Sequence, residues 1–279
     1  MPRGVYDRKS KASKLDSITN VVPFESDDQI DARIAERFEV LDIMTNAIIN
    51  GDSRAMVVSG PAGLGKSFTV EKALENYDPE ANAYTIIKGY ARATGLLKLL
   101  WRFRHSNSVI VFDDADSIFF DDTSLNMIKA VCDTTERRVV SYLSEAKIID
   151  DETAELIPHQ FQFNGSIIFI TNYDFDDMIE RGHKLSPHFQ ALLSRAHYID
   201  LTMKTRRDYM IRIRQVVKQG LLEGSGLNWS EQAQVLSFVE QHQEKLRELS
   251  LRIVIKIASI MKSTPNDWQK IAKITCTRG

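Results

Sequence analysis

The stretch Ala55-Met56-Val57-Val58-Ser59-Gly60-Pro61-Ala62-Gly63-Leu64-Gly65-Lys66-Ser67 decides how the rest of the chain is read. Its first five residues form an apolar run of the kind that makes a strand buried on both faces. Gly60, Gly65, Lys66 and Ser67 then fall on the spacing G-x-x-x-x-G-K-[ST] of a phosphate-binding loop. Each residue type has a chemical reason to be there. The glycines let backbone N–H groups turn inward around a phosphate, and a helix expected over 68–77 points its positive end at the same anion. Lys66 would neutralise charge on the β- and γ-phosphates, and the Ser67 hydroxyl would bind Mg2+. The expected nucleotide-binding set is thus Gly60, Pro61, Ala62, Gly63, Leu64, Gly65, Lys66 and Ser67, with ATP and Mg2+ as cofactors. The other reading, a glycine-rich turn that binds nothing, leaves the strand before it and the helix after it unexplained.

Bulk properties narrow the class. The chain has 279 residues, enough for one large domain or two unequal ones, and is 43% hydrophobic and 27% charged with a net charge of −2. No global basicity demands nucleic acid. Two cysteines, Cys132 and Cys276, lie far apart without metal-ligand neighbours, so neither a disulfide framework nor a cysteine metal site is expected. No apolar run approaches the ~20 residues of a membrane span, and no signal peptide is recognisable at the start. The expectation is a soluble protein of the cytoplasm, with no membrane partner.

Residues 1–30 are polar, with Arg3, Arg8, Lys9, Lys11 and Lys14 against Asp7 over the first fourteen positions. They read as a flexible basic arm, either solvated or in contact with phosphates, a neighbouring subunit or a protein partner. Helical periodicity follows over 31–50, closed by Asn50-Gly51. Four further apolar runs, at 84–87, 109–112, 167–171 and 198–201, read as buried parallel strands separated by helices, including 95–104 and 124–134. After Leu201 the strands stop. Thr205-x-x-Asp208 and Asn228-x-x-Glu231 read as capping boxes, and two more helices fit 250–262 and 266–274. The expected fold is α/β: a five-stranded parallel sheet flanked by helices over 31–202, then a small all-helical domain over 203–279.

The run Val109-Ile110-Val111-Phe112-Asp113-Asp114 delivers two carboxylates to the end of a strand, where open α/β sheets bind ligands. Asp113 can hold Mg2+ through water, and Asp114 can orient or deprotonate an attacking water.

With the loop and these carboxylates in one chain, the sequence resembles the AAA+ ATPase superfamily over about residues 31–262. The 60–67 loop is similar to Walker A, and 109–114 to Walker B. Asp113-Asp114-Ala115-Asp116 departs from the family's Asp-Glu-x-Asp box by an Asp where Glu is usual, so Asp114 is one methylene shorter. Ile167-Ile168-Phe169-Ile170-Thr171-Asn172 resembles the sensor-1 strand, which implies that Asn172 faces the γ-phosphate and the attacking water. Leu192-Leu193-Ser194-Arg195 resembles the arginine-finger position, with Arg181 a weaker rival; Arg195 would then serve the nucleotide of an adjacent subunit. Leu249-Ser250-Leu251-Arg252 resembles sensor 2, placing Arg252 on the γ-phosphate of its own chain. The resemblance implies a homo-oligomer, commonly a hexameric ring or spiral, and its compactness suggests a phage or mobile-element member.

Three features bear on what the ATP would drive. Lys88-Gly89-Tyr90-Ala91-Arg92 follows the second strand, where AAA+ translocases carry a pore loop, so Tyr90 and Arg92 are candidate substrate contacts; an ordinary connecting loop is the other reading. Two strands at 137–143 and 161–165 around 148–155 resemble a hairpin preceding sensor 1, with Lys147 near its tip as a phosphate contact; an insert that only packs on the sheet edge reads equally well. Lys204, Arg206, Arg207, Arg212, Arg214 and Lys218 form a basic start to the helical segment, read as a solvated face or subunit contact. The main expectation is an ATP-hydrolysing motor or switch acting on nucleic acid in replication, recombination or packaging. Its rivals are a protein-remodelling chaperone gripping polypeptide with Tyr90, and a nucleotide-gated scaffold with slow turnover. A kinase would leave the sensor, finger and lid signals unexplained.

Overall fold

The computed structural model describes residues 25–278. The expected basic arm, up to residue 24, lies outside the described residues. The first helix, α1 (Asp27–Ile49), begins four residues before the expected position 31, because Ser26 and Gln29 close a capping box and Asp27 and Asp28 complement the helix dipole. Ile30, Ile34, Phe38, Leu41, Thr45 and Ile48 give it one buried stripe at helical spacing.

Five strands, β1 (Ala55–Ser59), β2 (Tyr84–Lys88), β3 (Val109–Asp113), β8 (Ser166–Thr171) and β9 (His197–Asp200), form one sheet in the order β2-β3-β8-β1-β9, every pair parallel. All five lie within two residues of the expected runs. Their apolar residues divide by a period of two. Met56, Val58, Val111, Ile168 and Ile170 pack against α1 and α2 (Lys66–Tyr77) on one face. Val57, Ile110, Phe112, Ile167 and Phe169 pack on the other against α3 (Ala93–Arg102), α4 (Asp122–Val131), α5 (Phe175–Glu180) and α6 (Ser186–Leu193). Register levels the ends that matter: Ser59 pairs with Thr171, and Asp113 with Ile170. Gly60, Asp114 and Asn172 therefore leave the sheet side by side at its C-terminal edge.

One glycine just before β8 carries an unusual steric load. A Cβ on Gly165 would lie 2.4 Å from the Phe103 carbonyl oxygen and 3.0 Å from the Phe163 ring. Backbone cannot rotate out of the way as a side chain can. Gly165→Ala is therefore expected to cost about 1–3 kcal/mol, lowering the thermal midpoint by about 3–10 °C in a calorimetric scan. An unchanged midpoint would mean that this contact relaxes freely.

Between β3 and β8 the insert forms two short antiparallel ladders. Val139–Ser141 (β4) pairs with Gln160–Gln162 (β7), and Ile148–Ile149 (β5) with Leu156–Ile157 (β6). The hairpin exists, but its turn is residues 150–155, not Lys147, and is acidic. Arg102 donates to Asp150 at 2.7 Å and also pairs with Glu152, Lys98 meets Asp151 at 2.6 Å, and Trp101 donates to Glu155 at 3.1 Å. The tip is thus bound to α3 by ion pairs, which matches the packing alternative, while Lys147 stays exposed just before β5.

After β9 the chain is helical: α7 (Arg206–Lys218), α8 (Trp229–His242), α9 (Leu251–Ser263) and α10 (Trp268–Cys276) surround their own core of Ile213, Val235, Val239, Val254, Ile257 and Ala272. Both expected capping boxes form, Thr205 with Asp208 and Asn228 with Glu231. Among the described residues no helix is long and apolar enough to cross a membrane.

Candidate active site

β1 runs into the loop, and Gly65 stands as N-cap of α2 in a left-handed conformation (φ 97°) that only glycine adopts without strain. It offers no side chain to cap the helix, and the first turn holds no acidic residue. The first N–H groups of α2 thus remain available to an anion. Lys66 is buried and donates to the carbonyls of Gly60 and Pro61, the latter at 2.9 Å, and to Asn172 Oδ1 at 3.0 Å. Burial pulls its pKa down to about 8 against the attraction of Asp114 and Asp113. At neutral pH it remains mostly a cation.

Two hydrogen-bonded pairs converge there. Ser67 Oγ donates to Asp113 Oδ1 at 2.8 Å, so the hydroxyl and carboxylate expected to serve a metal already adjoin. Lys88 Nζ lies 3.6 Å from the other Asp113 oxygen and hydrogen-bonds Glu71 at 2.5 Å. Asn172 Nδ2 donates to Asp114 Oδ1 at 2.8 Å, so one amide bridges Lys66 and Asp114. Asp114 itself has φ 52°, left-handed backbone that favours Gly, Asn and Asp. Behind it, Thr171 Oγ1 donates to Asp116 Oδ1 at 2.7 Å, while burial pushes the Asp116 carboxyl above its ordinary range, helped by Asp114 and Asp113.

The helical segment closes over this loop. The Leu251 N–H donates to the Gly63 carbonyl at 2.8 Å, and a Cβ on Gly63 (φ 75°) would meet Ser250 Cβ at 2.7 Å. Arg252, exposed at the start of α9, repels the Lys66 ammonium and lines the same cleft. The cleft, about 1200 Å³, runs from Lys66, Ser67, Asp114 and Asn172 past Gly63 and Gly65 to an end walled by Ala35 and Phe38 of α1 and Val216 and Leu221.

The structure thus brings together Gly63, Gly65, Lys66, Ser67, Asp113, Asp114, Asn172 and Arg252. It leaves Arg195 apart. That residue follows α6 at the opposite, N-terminal end of the strands, donating to the Ala191 carbonyl at 2.7 Å and lying 3.7 Å from Asp133. Its rival Arg181 is exposed and pairs with Asp177 at 2.8 Å. Tyr90 is 73% exposed in the loop after β2, and Arg92 is the exposed N-cap of α3; neither lines the cleft. The basic start of α7 is no free face: Arg206 pairs with Glu244, Arg207 with Asp27, and Arg214 with Glu240 and Asp27. Arg212, counted with that face from sequence, is buried beneath the loop and lines the cleft. Its spacing four residues after buried Asp208 and four before Val216 was the signal that could have separated it.

No protein-family model matches the chain. It is 37% identical over 272 residues to an uncharacterized 36.7 kDa protein of the nrdC-mobD intergenic region of Enterobacteria phage T4, covering 97% of this chain and 82% of that one. Among solved structures, NtrX from Brucella abortus in complex with ATP superposes with a TM-score of 0.47 at 13% identity, over 86% of this chain; the chain spans about half, 52%, of NtrX. Domain III of the replication initiation protein DnaA from Thermotoga maritima gives 0.48 at 10% identity, over 88% of this chain and 92% of that one. The Holliday junction branch migration motor RuvB of Thermotoga maritima gives 0.47 at 10% identity, over 91% and 70%. With 37% of residues identical along nearly its whole length, the chain belongs to one family with the phage T4 protein.

Proposed function

We propose that the chain hydrolyses ATP at a site shared between identical subunits and uses the cycle to act on nucleic acid. The observation that carries the hydrolytic part is the connected set Lys66–Asn172–Asp114 beside Ser67–Asp113, all at one end of one cleft. The apolar end at Phe38, Val216 and Leu221 suits a base, and the free N–H groups of the loop and α2 suit phosphates. The donor set fits Mg2+: hard oxygens from Ser67 and Asp113, too few for an all-protein cage, as expected for an ion that also takes phosphate oxygens and waters. When bound, Mg2+ would neutralise phosphate charge.

The chain's own residues supply the rest. Lys66 and the loop amides hold the phosphates. Asp114 accepts the proton of a water whose oxygen bonds to the γ-phosphorus as the bond to the β–γ bridging oxygen breaks. Asn172, donating to Asp114, fixes that carboxylate towards the phosphate end. Arg195 would reach the nucleotide of a neighbouring subunit in a ring or spiral.

A cationic surface on the helical segment favours nucleic acid as substrate. Leu246 and Thr277 form an antiparallel bridge that gathers exposed Lys245 and Arg247 beside the end of α10, which carries exposed Lys270 and Lys273. Among the described residues none of these four has an ion-pair partner, unlike Arg206, Arg207 and Arg214 of α7. Phosphate release with single-stranded DNA, duplex DNA, RNA and an unfolded protein tests the reading. Nucleic acid should raise turnover, and Lys270→Gln with Lys273→Gln should flatten the salt dependence of binding by about one slope unit per removed contact. Stimulation by unfolded protein alone, lost in Tyr90→Ala, would favour polypeptide as substrate instead.

A further inference from the structure

We infer that Arg212 is a nucleotide-contacting residue, a buried guanidinium that lacks its counter-ion until phosphate enters the cleft. The inference rests on the nucleotide reading above and adds to it a residue outside the loop, the two carboxylates and Arg252.

Arg212 is 6% exposed. Its Nε donates to the Leu64 carbonyl at 3.3 Å and its Nη1 to Gln215 Oε1 at 3.3 Å, both long bonds to neutral acceptors. The guanidinium lies 3.3 Å from the centre of the Phe38 ring, which offsets part of its desolvation. A guanidinium has five N–H donors, and among the described residues no acceptor meets Nη2. That nitrogen lies 3.6 Å from where a Cβ of Gly65 would stand, beside the first turn of α2, and Arg212 lines the cleft. Among the described residues no carboxylate is near enough to raise its pKa, which burial lowers to about 10. Arg33 finds Glu25 and Asp208, and Arg102 finds Asp150; Arg138, as buried as Arg212, meets only the Val131 carbonyl and the Phe163 ring among the described residues, but it does not line the cleft. A lone buried charge destabilises a fold unless something of opposite sign meets it. Beside a phosphate loop, the group of opposite sign is phosphate.

The test uses the full chain and Arg212→Met, which keeps a stem of similar length and removes the guanidinium that lies over Phe38. Two quantities are read: the thermal midpoint without nucleotide, and the affinity for MgATP and MgADP by calorimetry. The expected result is a midpoint that holds or rises, because an uncompensated charge has gone, with affinity about 10- to 100-fold weaker. Arg212→Lys, keeping charge without the planar fork, should fall between. A lower midpoint with unchanged affinity would overturn the inference and make Arg212 a prop between α7 and the loop. If the wild type itself bound no nucleotide, and Lys66→Ala changed nothing, the nucleotide reading would fail, an outcome distinct from a wild type and Arg212→Met that bind equally well. Should Arg212→Met fail to fold, Arg212→Lys carries the same comparison.

Discussion

Asp114→Asn is expected to lower ATP turnover by about 10²- to 10⁴-fold, the range that a positioned general base contributes, while leaving nucleotide affinity and the thermal midpoint nearly unchanged. The separation of effects follows from local geometry. Position 114 has φ 52°, and Asn is among the few residues that enter left-handed backbone readily, so the turn after β3 survives. The Asn172 Nδ2 that donates to Asp114 Oδ1 would meet an amide oxygen of similar shape. Only the capacity to take a proton is lost. Asp114→Val is the contrasting variant, because a β-branched residue strains the same backbone and should lower the midpoint as well. Turnover measured as phosphate release under saturating MgATP decides the matter. Undiminished hydrolysis in Asp114→Asn would remove Asp114 from the chemistry.

Arg195→Ala is expected to reduce turnover by about 10³-fold or more, as loss of an arginine finger does, with little cost to the isolated chain. Its contacts here are the Ala191 carbonyl, the Ser194 hydroxyl and a partly exposed pair with Asp133 at 3.7 Å. Such surface pairs contribute about 0–1 kcal/mol. Mixing supplies the sharper measurement. Asp114→Asn keeps its arginine and Arg195→Ala keeps its carboxylate, so a mixed assembly contains interfaces in which both are intact. Two inactive preparations that regain phosphate release on mixing would place Arg195 in a neighbour's site. Mixtures as inactive as their parts would confine it to its own chain.

How far the molecule was legible depends on the range of the interactions involved. β1, the loop and β3 could be read because their signals are local: apolar runs, glycine spacing, a carboxylate pair at a strand end. Ser26 opening α1 was legible in principle, since the capping box with Gln29 spans four residues, but the polar composition upstream masked it. The hairpin was legible as two strands, whereas its attachment was not. Arg102 meets Asp150 across 48 positions, and nothing near either residue announces the other. Arg212 went unrecognised for a related reason. A run of arginines looks alike in one dimension, and only the packing of α7 against α1 and the loop turns one of them inward while Asp27, Glu240 and Glu244 pair with its neighbours. Asp114's left-handed backbone is also invisible in composition, since Asp occurs freely in every region of a loop.

Where Gly63 meets Leu251 and Ser250, main chain touches main chain and a Cβ has nowhere to go. Side chains ordinarily act as springs between moving parts, absorbing small displacements by changing rotamer. Here that spring is missing. A methyl group added at position 63 would press on Ser250 Cβ and work as a shim between the loop and the start of α9, while every charged group of the site stays in the chain.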